Sequence, residues 1–332
     1  MAENSKIEWC DHTFNTHEGC EQISPGCANC YAKERDRRFH EGKHWGPNGT
    51  RKFMTGAYWR QPLKWNVRRF QCALCGTWNH PTYSMCANTK CSGKGEDFVF
   101  VEHPRVFCAS LGDVFEDRPE LDAVRRRLLK LIQKTPNLDW LLLTKRPENI
   151  HRLTYKAIDP TDDSDCEYNI AGEPNGLDVA EFGELYPNVW LGTSVENQEM
   201  ADKRIPELLK IPARVRFLSC EPLLGPVDLI ESFPALGCSN YIESDNKGQI
   251  IADGRGLADI HWVIVGGESG SGARPMEIGW LNSIRDQCIA AGVPVFIKQM
   301  GSEYAKRHHF GDSKGGDWNE WAAEYRIRQF PA

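Results

Sequence analysis

The chain has 332 residues, 40% hydrophobic and 26% charged, with a formal net charge of −6. That length and apolar content supply a core for one large α/β domain or two ordinary ones and exclude a disordered or fibrous chain. No run of about 18 apolar residues occurs, and the opening MAENSKIEW lacks the basic and apolar regions of a secretory leader, so a cytoplasmic protein with no membrane partner is expected.

Residues 6–10 are expected to form a first strand, followed by the segment GCEQISPGCANCYA. A cubane iron–sulfur cluster ordinarily takes four thiolates, so Cys20, Cys27 and Cys30 would hold [4Fe–4S] and leave one iron open to another molecule. Pro25 and Gly26 let the backbone turn closely around an inorganic core. The competing reading of the same loop is zinc, with Cys10, His12 or His17 as the fourth ligand. Thirteen cysteines, an odd number in tight groups, suit metal ligation better than a disulfide framework.

A charged helix is expected over 28–40, then an insertion over 41–104. Residues 31–69 carry eleven Lys or Arg against three Asp or Glu, a local balance of +8 in an acidic chain. Trp45, Phe53, Tyr58, Trp59, Trp65 and Phe70 interleave with those cations, the pattern of a nucleic-acid surface, although the same aromatics could instead pack the insertion onto the main domain. Cys72 and Cys75 are two residues apart, and Cys86 and Cys91 follow after a gap of ten. Such pairs close a four-thiolate zinc site in a segment too poor in apolar residues to fold alone. His80 could replace one thiolate, and a second iron–sulfur cluster is the alternative occupant.

From about residue 105 the chain alternates short apolar runs with helical patterns. The runs are 106–110, 140–144, 189–194, 215–219, 262–265 and 295–297. PELDAVRRRLLKLIQKTP, between the first two, has apolar residues at helical spacing and a terminal Pro136. Six or seven parallel strands predict an α/β protein, read as a partial (β/α)6 TIM-like barrel with an added strand and a small metal-binding insertion, in preference to a doubly wound sheet. Residues 155–187 and 233–258, rich in Asp, Gly, Asn and Pro, read as long surface loops. Three segments result: 1–40 with the first strand, cluster loop and first helix; 41–104, the basic insertion; and 105–332, the rest of the barrel with a C-terminal extension.

Active sites of such folds lie at the C-terminal ends of the strands. Those ends are polar here, reading SLGD, TKRP, SVEN, CEP, GGES and KQ in turn. One such end is usually a helix cap; six in succession suggest a site.

In these segments the chain resembles the radical S-adenosylmethionine superfamily, and more closely a phage-associated, functionally uncharacterised branch of it. The resemblance rests on Ile7, Glu8, Trp9, Gly19, Cys20, Ser24, Pro25, Gly26, Cys27, Asn29, Cys30 and Tyr31. SLGDVF, LLTKRP, WLGTSVENQ, RFLSCEPLLGP and WVIVGGESG carry it onward in order. The superfamily most often spaces its cysteines three and two residues apart, whereas the first gap here is six. The resemblance implies that Cys20, Cys27 and Cys30 hold three irons while S-adenosylmethionine chelates the fourth. It places Ser110, Gly112 and Asp113 at the methionine amino group, Ser194, Glu196 and Asn197 at the ribose, and Gly266, Gly267 and Glu268 against adenine or methionine. It also implies an electron donor such as flavodoxin or ferredoxin and a 5′-deoxyadenosyl radical that abstracts hydrogen from the substrate.

Lys145, Arg146, Glu221 and Lys298 stand at strand ends not needed for the cofactor and are expected to contact substrate, the three cations suiting a phosphate. The expected function is radical modification or repair of a nucleobase, free or in DNA or RNA. A non-catalytic, zinc-stabilised nucleic-acid-binding protein is one rival reading, and radical modification of a peptide or small metabolite is another.

Overall fold

The computed structural model describes residues 5–67, 70–75, 78–79, 84–94, 96, 98–100, 103–158, 181–230, 257 and 259–331. The N-terminal part contains β1 (His12–Thr13), β2 (His17–Glu18), α1 (Tyr31–His40), β3 (Lys52–Phe53), α2 (Gln61–Trp65), β4 (Phe70–Cys72), β5 (Trp78–Asn79) and β6 (Phe98–Phe100). Then follow β7 (Arg105–Cys108), α3 (Asp122–Gln133), β8 (Asp139–Thr144), α4 (Ile150–Ile158), α5 (Glu181–Leu185), β9 (Val189–Ser194) and α6 (Gln198–Leu209). The chain continues through β10 (Val215–Cys220), β11 (Trp262–Gly266), α7 (Ile278–Ala291), β12 (Val295–Gln299) and α8 (Ser302–Arg307).

Strands with apolar residues on both faces must be covered on both, and alternation along each strand shows how. Val189 and Leu191 of β9, Leu142 of β8, Val263 of β11 and Val295 of β12 point into a core shared with Leu128 and Ile132 of α3, Ala201 and Ile205 of α6, and Leu281 of α7. Their neighbours Trp190, Leu141, Trp262, Ile264 and Phe296 point the other way, into a cluster with Trp9, Phe107 and Phe217 to which no described helix contributes. Each fully buried Leu or Ile contributes about 1.5–3 kcal/mol, so α3 alone is held by several such contacts.

The seven strands of this sheet are all parallel and run β1-β7-β8-β9-β10-β11-β12, without the reversal of order that a doubly wound sheet requires. Right-handed crossovers that always step in one direction put their helices on one face, where α3, α4, α6 and α7 share one core, and the sheet curls into a half-barrel with aromatics on its concave side. Gly192 on β9 stands opposite Phe217 on β10, and a Cβ there would lie 2.3 Å from the Phe217 ring, so the glycine makes room for the aromatic. The outer edge of β12 is paired antiparallel by the C-terminal segment, where Ile297 N–H donates to Ile327 O and Gln329 N–H to Val295 O. Phe330 then packs on Trp262, and the Arg105 guanidinium of β7 lies 3.8 Å from the Phe330 ring centroid.

Two expectations are corrected. Residues 6–10 form turns, not a strand: Ser5 Oγ accepts from Ile7 N–H, Cys10 N–H bonds back to Ile7 O, and pairing begins only where His12 meets Val106. The segment 155–187 is not all loop, since α4 runs through Ile158 and α5 covers Glu181–Leu185; residues 159–180 lie outside the described residues, as does nearly all of 233–258. The aromatics of the basic stretch divide. Tyr58, Trp59 and Trp65 are buried, Tyr58 stacked on Phe14 and Trp65 on His12, so they pack the insertion onto β1, while Phe53 is exposed. Arg68 and Arg69 lie outside the described residues.

Candidate functional site

The cysteine loop cannot bury enough apolar surface to order itself, and its shape is imposed by side chains from distant strand ends. Glu196, after β9, is fully buried and accepts from Ser24 Oγ at 2.7 Å; the same carboxylate pairs with Arg204 at 2.7 Å and Lys145 at 3.3 Å. A Cβ on Gly26 would lie 2.3 Å from Glu196 Oε1, which is why the loop needs glycine there. Glu268, after β11, accepts from Asn29 Nδ2 at 2.9 Å and is gripped by Arg274, whose Nη1 also donates to Pro25 O. Arg146, after β8, donates to Glu21 O at 3.1 Å and to Cys20 Sγ at 3.7 Å. Strand ends β8, β9 and β11 thus clamp one loop.

Cys20, Cys27 and Cys30 line a single cavity of about 860 Å3 at the C-terminal end of the sheet. Its wall also includes Ser110, Gly112, Asp113, Lys145, Arg146, Ser194, Glu221, Glu268 and Lys298, so residues from six strand ends meet around it. Cys27 Sγ has the Ser24 hydroxyl at 3.7 Å. Cys30 is the N-cap residue of α1, and the backbone N–H groups of Lys33 and Ala32 face its sulfur. Burial, and then the Asp113 charge, push the Cys20 thiol up to about 12, so a metal entering here must displace protons.

Several predicted residues carry structural duties. Asp113 accepts from Phe115 N–H and Thr144 Oγ1 on one oxygen and from Lys145 N–H and Arg146 Nη1 on the other, leaving its carboxylate saturated rather than open to an ammonium. Asn197 caps α6 by accepting from Met200 N–H at 3.0 Å. Burial works to raise the Glu196 pKa, but Lys145, Arg204 and Ser24 outweigh it and hold the carboxyl below its ordinary value. Gly266 ends β11, and Gly267 is a close-approach position, where a Cβ would meet Met300 O at 2.3 Å. Arg146 supports the cysteine loop. Lys298 and Glu221 face the cavity as a pair, Nζ to Oε1 at 2.6 Å.

None of the competing zinc ligands lines the cavity. Cys10 Sγ lies 3.5 Å from Ser5 Oγ, His12 stacks on Trp65, and His17 Nδ1 lies 2.8 Å from Thr16 Oγ1. Burial, followed by the Arg51 charge, lowers the His17 pKa to about 4.

In the insertion, Cys72, Cys75, Cys86 and Cys91 bring their sulfurs within 4.8 Å of one another, with 3.8 Å between Cys72 and Cys91 and 3.5 Å between Cys75 and Cys86. They sit on and beside the antiparallel β5-β4-β6 sheet, and a Cβ on Gly93 would lie 2.5 Å from Cys72 Sγ. This group could hold a metal ion. His80 lies outside the described residues.

Sequence reasoning did not assign roles to Arg204 and Arg274, which act through the carboxylates they pair with, nor to Asp312 and Lys314, which reach the cavity wall from the C-terminal segment.

No curated protein and no solved structure matches the chain. The sequence model of DUF5131, described as a protein of unknown function, matches residues 4–324. With sheet, cysteine loop and insertion all inside that match, the chain belongs to the DUF5131 family.

Proposed function

We propose that this protein is a radical S-adenosylmethionine enzyme that modifies or repairs a nucleobase, and that its half-barrel is the partial (β/α)6 barrel, with one added strand, of that superfamily. The observation that carries the reading is the meeting of three cysteines from one loop in a cavity of about 860 Å3 at the C-terminal mouth of a parallel sheet. The donor set fits a [4Fe–4S] cluster: three thiols, with a guanidinium, a hydroxyl and helix N–H groups near the sulfurs to balance an anionic center. Cys20, Cys27 and Cys30 would hold it, and when bound with S-adenosylmethionine and reductant it supplies a 5′-deoxyadenosyl radical. The Arg146, Glu196 and Glu268 clamps fix the loop, the aromatic cluster on the concave face excludes water below it, and Lys145 and Lys298 present cations to an anionic substrate.

The nucleic-acid part of the proposal is supported by the outer face of α1. Tyr31 and Phe39 are exposed there, with the Arg35 and Arg38 guanidiniums at 5.9 and 5.4 Å from the Phe39 ring, and Tyr31 and Arg35 also line the cavity. Stacking faces beside cations suit single-stranded bases and phosphates. For the insertion we propose structural Zn2+, the usual occupant of four converging thiolates.

The test is incubation of reconstituted, dithionite-reduced protein with S-adenosylmethionine under strict anaerobiosis. The proposal expects 5′-deoxyadenosine in the native protein and none in Cys27→Ala. Its absence from fully iron-loaded native protein would contradict the proposal, and binding of labelled single-stranded DNA without turnover would favor the binding-protein reading.

A further inference from the structure

Asp36, His40 and His44 lie outside the cavity lining and outside the four-thiol group, yet each offers a ligand atom within 4.8 Å of the others. Asp36 and His40 are four residues apart on α1 and so share a face of the helix. The chain then leaves the helix through Glu41, at φ 58°, and returns His44 to the same place. His44 Nδ1 lies 2.7 Å from Asp36 Oδ1, and the His44 N–H donates to Asp36 Oδ2 at 3.1 Å. The two imidazoles meet edge to face with centroids 4.9 Å apart. Glu18 Oε2 stands 3.3 Å from His40 Nε2, the carboxylate contact that orients a ligating imidazole. Asp36 and Glu18 are both buried.

One protonated histidine near a helix C-terminus would be an ordinary dipole partner. Two imidazoles and a buried carboxylate gathered at one point are instead a donor set for a borderline divalent cation, with a fourth position left for water. We propose that Asp36, His40 and His44 bind a zinc ion. Lys52 Nζ lies 3.2 Å from His40 Nε2 and 3.4 Å from Glu18 Oε2, so it sits with that carboxylate on the Nε2 side of the ring, and the ion takes Nδ1. Glu18 keeps Arg35 as its partner at 2.9 Å and remains in place to hold the His40 ring.

The position gives the ion a task. Gly46 N–H donates to Cys20 O at 2.9 Å, Arg51 Nη1 donates to His44 O at 2.9 Å, and a Cβ on Gly19 would lie 2.3 Å from His44 O. An ion at Asp36, His40 and His44 therefore ties the end of α1 and the following loop to the backbone that carries Cys20. The proposal does not depend on what that cysteine binds.

Crystals of the full chain soaked in zinc, with data collected on either side of the zinc absorption edge, test it directly. An anomalous peak among Asp36, His40 and His44 is expected, separate from any peak at the insertion. In solution, competition with a chromogenic chelator should count one tight zinc fewer in His40→Ala/His44→Ala than in the native chain, and a different one fewer in Cys72→Ser/Cys75→Ser. If the alanine pair fails to fold, His40→Gln/His44→Gln provides the same count with side-chain volume retained. Peaks confined to cysteine sulfurs, or a zinc count unchanged by replacing both histidines, would overturn the proposal.

Discussion

Cys20, Cys27 and Cys30 are positioned by side chains from three strand ends more than a hundred residues away, whereas Cys72, Cys75, Cys86 and Cys91 are positioned mainly by one another within a small antiparallel sheet. In the first group the fold comes first and presents the thiols around a cavity. In the second, the four sulfurs converge within 4.8 Å of one another, and the fold is expected to depend on whatever joins them. The two groups should therefore respond oppositely to the loss of metal and to the loss of a clamp.

The largest effect is expected in the insertion. Structural zinc contributes on the order of 10 kcal/mol to folding of small metal-dependent units. Chelation, or Cys72→Ser, should expose residues 70–100 to proteolysis while the half-barrel keeps its thermal midpoint. Simultaneous melting of both regions would break the distinction between them.

The cavity should respond instead to its clamps. Glu196→Gln leaves the Arg204 guanidinium, 2% exposed, without its anion, at a cost of about 3–5 kcal/mol. Calorimetry should show a lowered thermal midpoint, and iron uptake at Cys20, Cys27 and Cys30 should fall although no thiol was changed. Unaltered iron uptake would mean that the loop holds its shape without the clamp.

A pH dependence follows from His17, directly behind the same loop. Its folded pKa of about 4 lies below the ordinary 6.5, so the unfolded chain takes up a proton first as the pH falls. Stability should decline between pH 6.5 and 4 by up to about 3 kcal/mol. Denaturant titrations should show this slope flattened in His17→Gln; an unchanged slope would assign the loss to carboxylates instead.

The smallest stability effect belongs to Lys298→Ala, which breaks a partly exposed pair with Glu221 worth about 1 kcal/mol or less. Iron content and melting should be nearly native while turnover is abolished. Loss of iron would move Lys298 from the substrate to the support of the loop.

Much of this was legible because it is local or periodic. Six of the seven parallel strands were anticipated from apolar runs, with ends within about two residues of those observed, and the four-cysteine group of the insertion was anticipated from spacing. The first strand was misplaced because Ile7 and Trp9 have an apolar, strand-like pattern but pack into the concave core from turns. Ligand roles at strand ends were harder to read, since a polar residue there is equally suited to capping, as Asn197 does, or to bracing a neighbor, as Asp113 and Glu196 do. What decides between them is the partner, and Arg146, Arg204 and Arg274 become partners only after folding.

The central claim, that the N-terminal thiols carry an iron–sulfur cluster, is tested most directly by reconstituting the full chain with iron and sulfide under exclusion of oxygen. Metal content, visible absorption and low-temperature electron paramagnetic resonance of the reduced protein are the readouts. The account predicts a brown protein with about four irons per chain, lost in Cys20→Ala, Cys27→Ala and Cys30→Ala but retained in Cys72→Ser. A colorless protein with zinc bound at Cys20, Cys27 and Cys30 would contradict it.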